Sequence, residues 1–130
     1  MKSICILFLG LFIMTSAAVA GPNSQSYYEI EIKARELTLE SMEKRLACMN
    51  DNCPLADQFA IDEEYIQKID LMHEGYSTTP SQLAAWYTQH AKEAESYFLT
   101  SPRLQIRLDE LNISFDTLSD SIKTLLEAQQ

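Results

Sequence analysis

The 130-residue chain carries 10 Lys and Arg against 19 Asp and Glu, a formal charge of −9, and 46% of its residues are hydrophobic. A field of that sign repels nucleic acid and anionic lipid, and no basic stripe is present to neutralise phosphates, which argues against nucleic-acid recognition. Three glycines in the whole chain, and no sustained apolar/polar alternation between turn signals, argue against a sheet.

Lys2 precedes an apolar run from Ile4 to Met14, and Thr15 to Ala20 ends in a small-residue A-x-A pattern through Ala18 and Ala20. A basic start, a short apolar stretch and small residues at the end form the layout of a secretory signal peptide. The run falls short of the roughly 20 apolar residues that span a bilayer, so a stable membrane anchor is not expected. Cys5 lies too early to be a lipid-modified residue at the processing site. The expectation is a signal peptide over 1–20, a single helical domain over 21–130, and a secreted or periplasmic location. Loss of Lys2 leaves nine cations against nineteen acids, a charge of −10.

The first helix is predicted over about 26–48, with Ser26 and Glu29 as a capping box. Tyr28, Ile32, Leu39, Met42, Leu46 and Met49 recur at helical spacing, widened by Ile30, Ala34 and Leu37. Asn50-Asp51-Asn52 reads as a turn, since Cys53 and Pro54 break the ligand pattern of a calcium loop. Cys48 and Cys53 are the two cysteines outside the leader. In an exported chain they are expected to form a disulfide. Their spacing is not C-x-x-C, and no second Cys/His pair completes a zinc site.

A second helix is predicted from about Leu55 to Glu74, with Phe59, Ile61, Tyr65, Ile66, Ile69 and Met72 inward and Gly75 as its stop. Asp62-Glu63-Glu64 reads as a solvated acidic first turn, favoured by the helix dipole. Thr79-Pro80-Ser81-Gln82 combines an N-cap, a proline at the first helical position and a Gln at the capping-box position. The third helix then runs to about Leu99, with Leu83, Tyr87, Ala91, Ala94 and Phe98 inward. Ser101-Pro102 marks a sharp corner. Leu104, Leu108, Leu111, Phe115, Leu118, Ile122 and Leu125 follow as an unbroken heptad seam, broadened by Ile106 and Ile113.

These signals predict an all-α, four-helix bundle of up-down type with one short disulfide-stapled corner. A three-helix core that exchanges its last helix in a homodimer is the alternative, because a long seam serves either kind of packing.

Chemistry-bearing motifs are few. His73 and His90 are the only histidines and lack metal-ligand spacing; a histidine near a helix end commonly bonds terminal carbonyls. No nucleophile motif or haem-attachment motif occurs, so neither a catalytic residue nor a cofactor or metal is assigned. Trp86, His90 and Tyr97, with Tyr27, lie off the main stripes and are candidate interface residues, since aromatic rings outside a core face commonly anchor protein interfaces. Asn112-Ile113-Ser114 matches a glycosylation acceptor but falls inside a predicted helix.

The sequence therefore points to a small exported, acidic protein-binding module of the bacterial envelope or extracellular space, accessory, chaperone-like or immunity-type, whose partner is another protein of basic character. Two alternatives are an exported all-helical enzyme such as a chorismate mutase and an apolar small-ligand carrier. The mutase would need cations such as Arg35, Arg45, Arg103 and Arg107 to converge on one pocket. The carrier would be lined by inward tyrosines and phenylalanines.

Overall fold

The computed structural model describes residues 21–130; the expected signal peptide over 1–20, including Cys5, lies outside the described residues. The fold is an all-α four-helix bundle: α1 (Ser24–Asn50), α2 (Leu55–Gly75), α3 (Pro80–Leu99) and α4 (Pro102–Ala128). Among the described residues no helix is long and apolar enough to cross a membrane.

Local chemistry sets the helix ends. α1 begins two residues before the predicted start, because Asn23 rather than Ser26 is the cap. The Asn23 side chain accepts from the Ser26 amide, and the Ser26 hydroxyl accepts from the Asn23 amide, each at 2.9 Å. Ser26 thus occupies the third helical position of a capping box, the role the sequence reading assigned to Glu29. The cap of α3 is Thr79 as expected, its hydroxyl accepting from the Gln82 amide at 3.2 Å, with Pro80 following. Ser101 gives α4 no side-chain cap. Gln105 instead reaches back and donates to the carbonyls of Phe98 at 2.8 Å and Leu99 at 3.2 Å, satisfying acceptors left open at the end of α3. Gly75 is the last residue of α2, but the left-handed residue of that corner is Ser77, with φ 56°.

At the first corner Cys48 and Cys53 lie at disulfide distance, their Cα atoms 5.2 Å apart. The intervening residues form the expected turn. The Asp51 and Cys53 amides donate to carbonyls of the last turn of α1, and Asn52 takes a left-handed φ of 52°, a conformation Asn tolerates.

α1 is the spine of the bundle: α2, α3 and α4 all pack on it, and α3 also packs on α4. α2 runs antiparallel to α1. Lys44 pairs with Glu64 at 3.6 Å, while toward the other end Lys33 donates to the Tyr76 hydroxyl. α3 continues in the sense of α2, from Leu83 near Ala34 to Ala94 beside Tyr28. α4 returns alongside α1, tied by Arg107 to Glu36 at 2.7 Å and by Arg35 to Asn112 at 2.6 Å. Alternation of direction holds at the first and third corners, while at the second the chain steps sideways.

Among the described residues, the buried apolar side chains are Ile30, Met49, Tyr65, Leu83, Ala94, Leu108 and Leu111. They come from all four helices, so removing any helix uncovers part of the core. Several positions predicted to face inward do not. Phe59 is 57% exposed, Ile66 59% and Phe115 46%, and Ile106 and Ile113 are also exposed. Helical spacing identifies a stripe, but the stripe is buried only where another helix reaches it.

Candidate interaction surface

The structure brings all four candidate interface residues into one aromatic layer where α3 crosses the N-terminal half of α1. Tyr27 stacks on Tyr87, centroids 5.0 Å apart, and leans on Trp86 at 5.6 Å. Trp86 stacks on His90 at 4.7 Å. Tyr97 stacks on Tyr28 at 5.9 Å, and Tyr28 meets Tyr27 edge-on at 5.0 Å. The Tyr28 hydroxyl donates to the Ala94 carbonyl at 3.0 Å, which fixes the layer to the backbone of α3. Tyr27, Tyr28, Trp86, His90 and Tyr97 are half-buried and Tyr87 is exposed, so the layer joins α3 to α1 and still presents ring surface to solvent.

His90 contributes through the backbone as well as its ring. Its φ of −122° and ψ of 24° interrupt α3, and in the Nδ1-protonated tautomer the ring donates to the Trp86 carbonyl at 2.9 Å. That carbonyl is the acceptor four residues back, so the ring sits where a helical amide bond would end. His73, buried in the last turn of α2, makes the same kind of bond to the Ile69 carbonyl at 2.8 Å. Among the described residues no group of three His, Cys, Asp or Glu side chains is placed to hold a metal ion.

Burial, reinforced by the Glu31 carboxylate, pushes the Tyr27 hydroxyl up to about 12. The sign of the linkage follows. The folded state holds this proton more tightly than the unfolded chain, so the contribution is complete below the unfolded value near 10 and is lost as pH rises through about 12. Burial also raises Tyr28, so ultraviolet titration is expected to show two tyrosines ionising late, and Tyr27→Phe is expected to remove one of them and to flatten the alkaline loss of stability between those values. Two late tyrosines persisting in the variant would assign the shift to a residue other than Tyr27.

The second feature was not read from the sequence. α2 and α4 both flank α1, and α3 lies between them only along Tyr27 to Ala34. Beyond Ala34 the space that α3 fills continues as an open furrow. Two depressions meet at Thr38. One, of about 250 Å³, has Leu39 of α1 and Leu111 and Phe115 of α4 around it, with Arg35 and Asn112 at its edge. The other, of about 330 Å³, is bounded by Met42 of α1 and by Asp62, Ile66 and Ile69 of α2. The Thr38 hydroxyl is already committed, donating to the Ala34 carbonyl at 2.8 Å. The furrow thus has apolar walls in Leu111, Phe115, Ile66 and Ile69 and a mixed floor, where Thr38 and Ser41 accompany Leu39 and Met42.

Asp62-Glu63-Glu64 is divided by its contacts. The first turn of α2 holds Asp57, and the triplet lies deeper in the helix, so the dipole does not explain it. Glu64 binds Lys68 at 2.7 Å and Lys44 at 3.6 Å; the Lys68 hydrogen bond, with Lys44 nearby, holds its carboxyl below the usual range. Asp62 stands at the furrow without an ion-pair partner among the described residues. Asn112, the glycosylation-type asparagine, is in mid-helix and hydrogen-bonded to Arg35.

Comparison of the chain with protein-family models, with curated proteins and with solved structures returned no match.

Proposed function

We propose that the chain is an exported, non-enzymatic protein-binding module of the bacterial envelope or extracellular space, of the accessory, chaperone-like or immunity type. The observation that carries this reading is the furrow between α2 and α4. Large apolar side chains, Ile66 and Phe115 among them, stand exposed along a groove that the chain itself covers only over its upper half. A contiguous exposed apolar groove with a polar margin is the form of a protein interaction site. A helical enzyme of the mutase kind needs several cations aimed into one pocket. Arg35 lines the depression against α4, bound to Asn112 at 2.6 Å and 3.9 Å from Glu31, and the depression against α2 is lined by no Lys or Arg.

The test is site-specific photo-crosslinking in the producing cells. A photoreactive residue at 66 or 115 is expected to give one defined protein adduct, and the same probe at Ile113, exposed on the outer face of α4, is expected to give none. Absence of any adduct from all three positions, or indistinguishable adducts from all three, would remove the support for the reading.

A further inference from the structure

Building on that reading, we infer that the furrow receives a single basic amphipathic α-helix of a partner protein. Three observations converge on this occupant. The first is shape. The furrow is the downward continuation of the channel in which α3 lies against α1, between α2 and α4. Along α1 its lining runs from Arg35 to Met42, about 10 Å at 1.5 Å per residue, roughly two turns of a guest helix.

The second is the apolar character of the lining. Met42, Ile66, Ile69 and Phe115 offer contacts to side chains that recur every three or four residues, as in helix-in-groove recognition. The third is charge. α2 carries six acids and one lysine, and α4 from Asp109 onward carries five acids and one lysine. Both lysines are paired within their own helices, Lys68 with Glu64 at 2.7 Å and Lys123 with Glu127 at 3.9 Å. Asp62, Asp70, Asp116 and Asp120 have no ion-pair partner among the described residues. A guest helix flanked by Lys or Arg meets Asp62 at the furrow and the net negative charge of α2 and of the second half of α4 around it. A second copy of this chain, with its own formal charge of −9, brings like charge to like.

The experiment uses the purified, disulfide-bonded protein and a synthetic 18-residue Leu/Lys peptide with leucines at positions i, i+3, i+4 and i+7. A scrambled peptide of the same composition and a Leu/Glu counterpart serve as controls. The Leu/Lys helix is expected to shift the amide resonances of Thr38, Met42, Ile69 and Asn112, and to bind at least tenfold more tightly than the scramble, with the Leu/Glu peptide silent. Ile66→Lys is expected to weaken binding tenfold or more. Because Ile66 is exposed, the variant is expected to keep its circular dichroism, and Phe115→Lys provides an independent second variant.

Equal binding of the scramble reduces the effect to net charge and overturns the inference. Equal binding of the Leu/Glu peptide removes the basic requirement and does the same. Shifts confined to Tyr27, Trp86 and Tyr97 move the site to the aromatic layer, overturning the furrow assignment while leaving the protein-binding reading intact. Sedimentation showing a dimer closed over the furrow, or native mass spectrometry showing a retained lipid there, replaces the helix with another occupant. Failure of the cellular crosslinks alongside these results would bring down the broader reading as well.

Discussion

Truncation of Ile30 to alanine is expected to lower the unfolding free energy by about 2–5 kcal/mol, measured by urea denaturation followed at 222 nm. Ile30 is 1% exposed, one of the largest fully enclosed side chains in the bundle. Its removal combines the lost transfer of apolar surface with the cavity left behind. The core that would have to absorb the loss is small, because seven apolar side chains drawn from four helices make up the buried set among the described residues. Against a typical total of roughly 5–15 kcal/mol, a loss of this size is a large share. Ile113→Ala is the matched control. That side chain is 66% exposed, and its truncation is expected to change stability by less than about 0.5 kcal/mol. Comparable losses from the two variants would mean that the enclosed and open faces have been misassigned.

Breaking the Cys48–Cys53 link is the second large effect. Reduction, or the double substitution C48S/C53S, is expected to cost about 2 kcal/mol, the loop-entropy value for so short a closure. For a domain of this size that corresponds to a fall in melting temperature of about 10 °C. The cost arises chiefly in the unfolded chain, where the link removes conformations of the corner. The folded corner has its own support in the Cys53 amide, which donates to the Cys48 carbonyl at 3.0 Å, and in the left-handed Asn52. Helicity by circular dichroism is therefore expected to be unchanged by reduction at room temperature while the thermal midpoint falls. An unchanged midpoint would show that the corner is equally restricted without the bond.

The two interaction features differ in how far they could be read before the fold was known. Tyr27, Trp86, His90 and Tyr97 were identifiable as rings off the main stripes, and they do gather at one place. Their mutual packing was not identifiable, because it depends on where α3 crosses α1 and on the break at His90 that turns the second half of α3. Phe115 shows the opposite case. Its place in an unbroken heptad seam argued for burial, and its neighbours Leu108 and Leu111 are indeed buried, yet Phe115 is not. A heptad seam records that one side of a helix is apolar and says nothing of whether a partner reaches each turn. Asp62 likewise looked like part of a solvated acidic run and became a furrow residue only when α2 was laid against α1.

Residue chemistry along the chain was sufficient for most features governed by near neighbours, the caps at Asn23 and Ser101 excepted. That includes four helices, the Thr79 cap with its following proline, and the Cys48–Cys53 corner. The tertiary structure alone decided that α1 is the spine, that α3 covers only its upper half, and that α2 and α4 therefore stand apart below. The physical reason is that capping, turn formation and periodicity act over a few residues. The position of α3 rests instead on contacts between side chains some sixty residues apart in sequence, such as the Tyr28 hydroxyl on the Ala94 carbonyl, which leave no mark on local spacing.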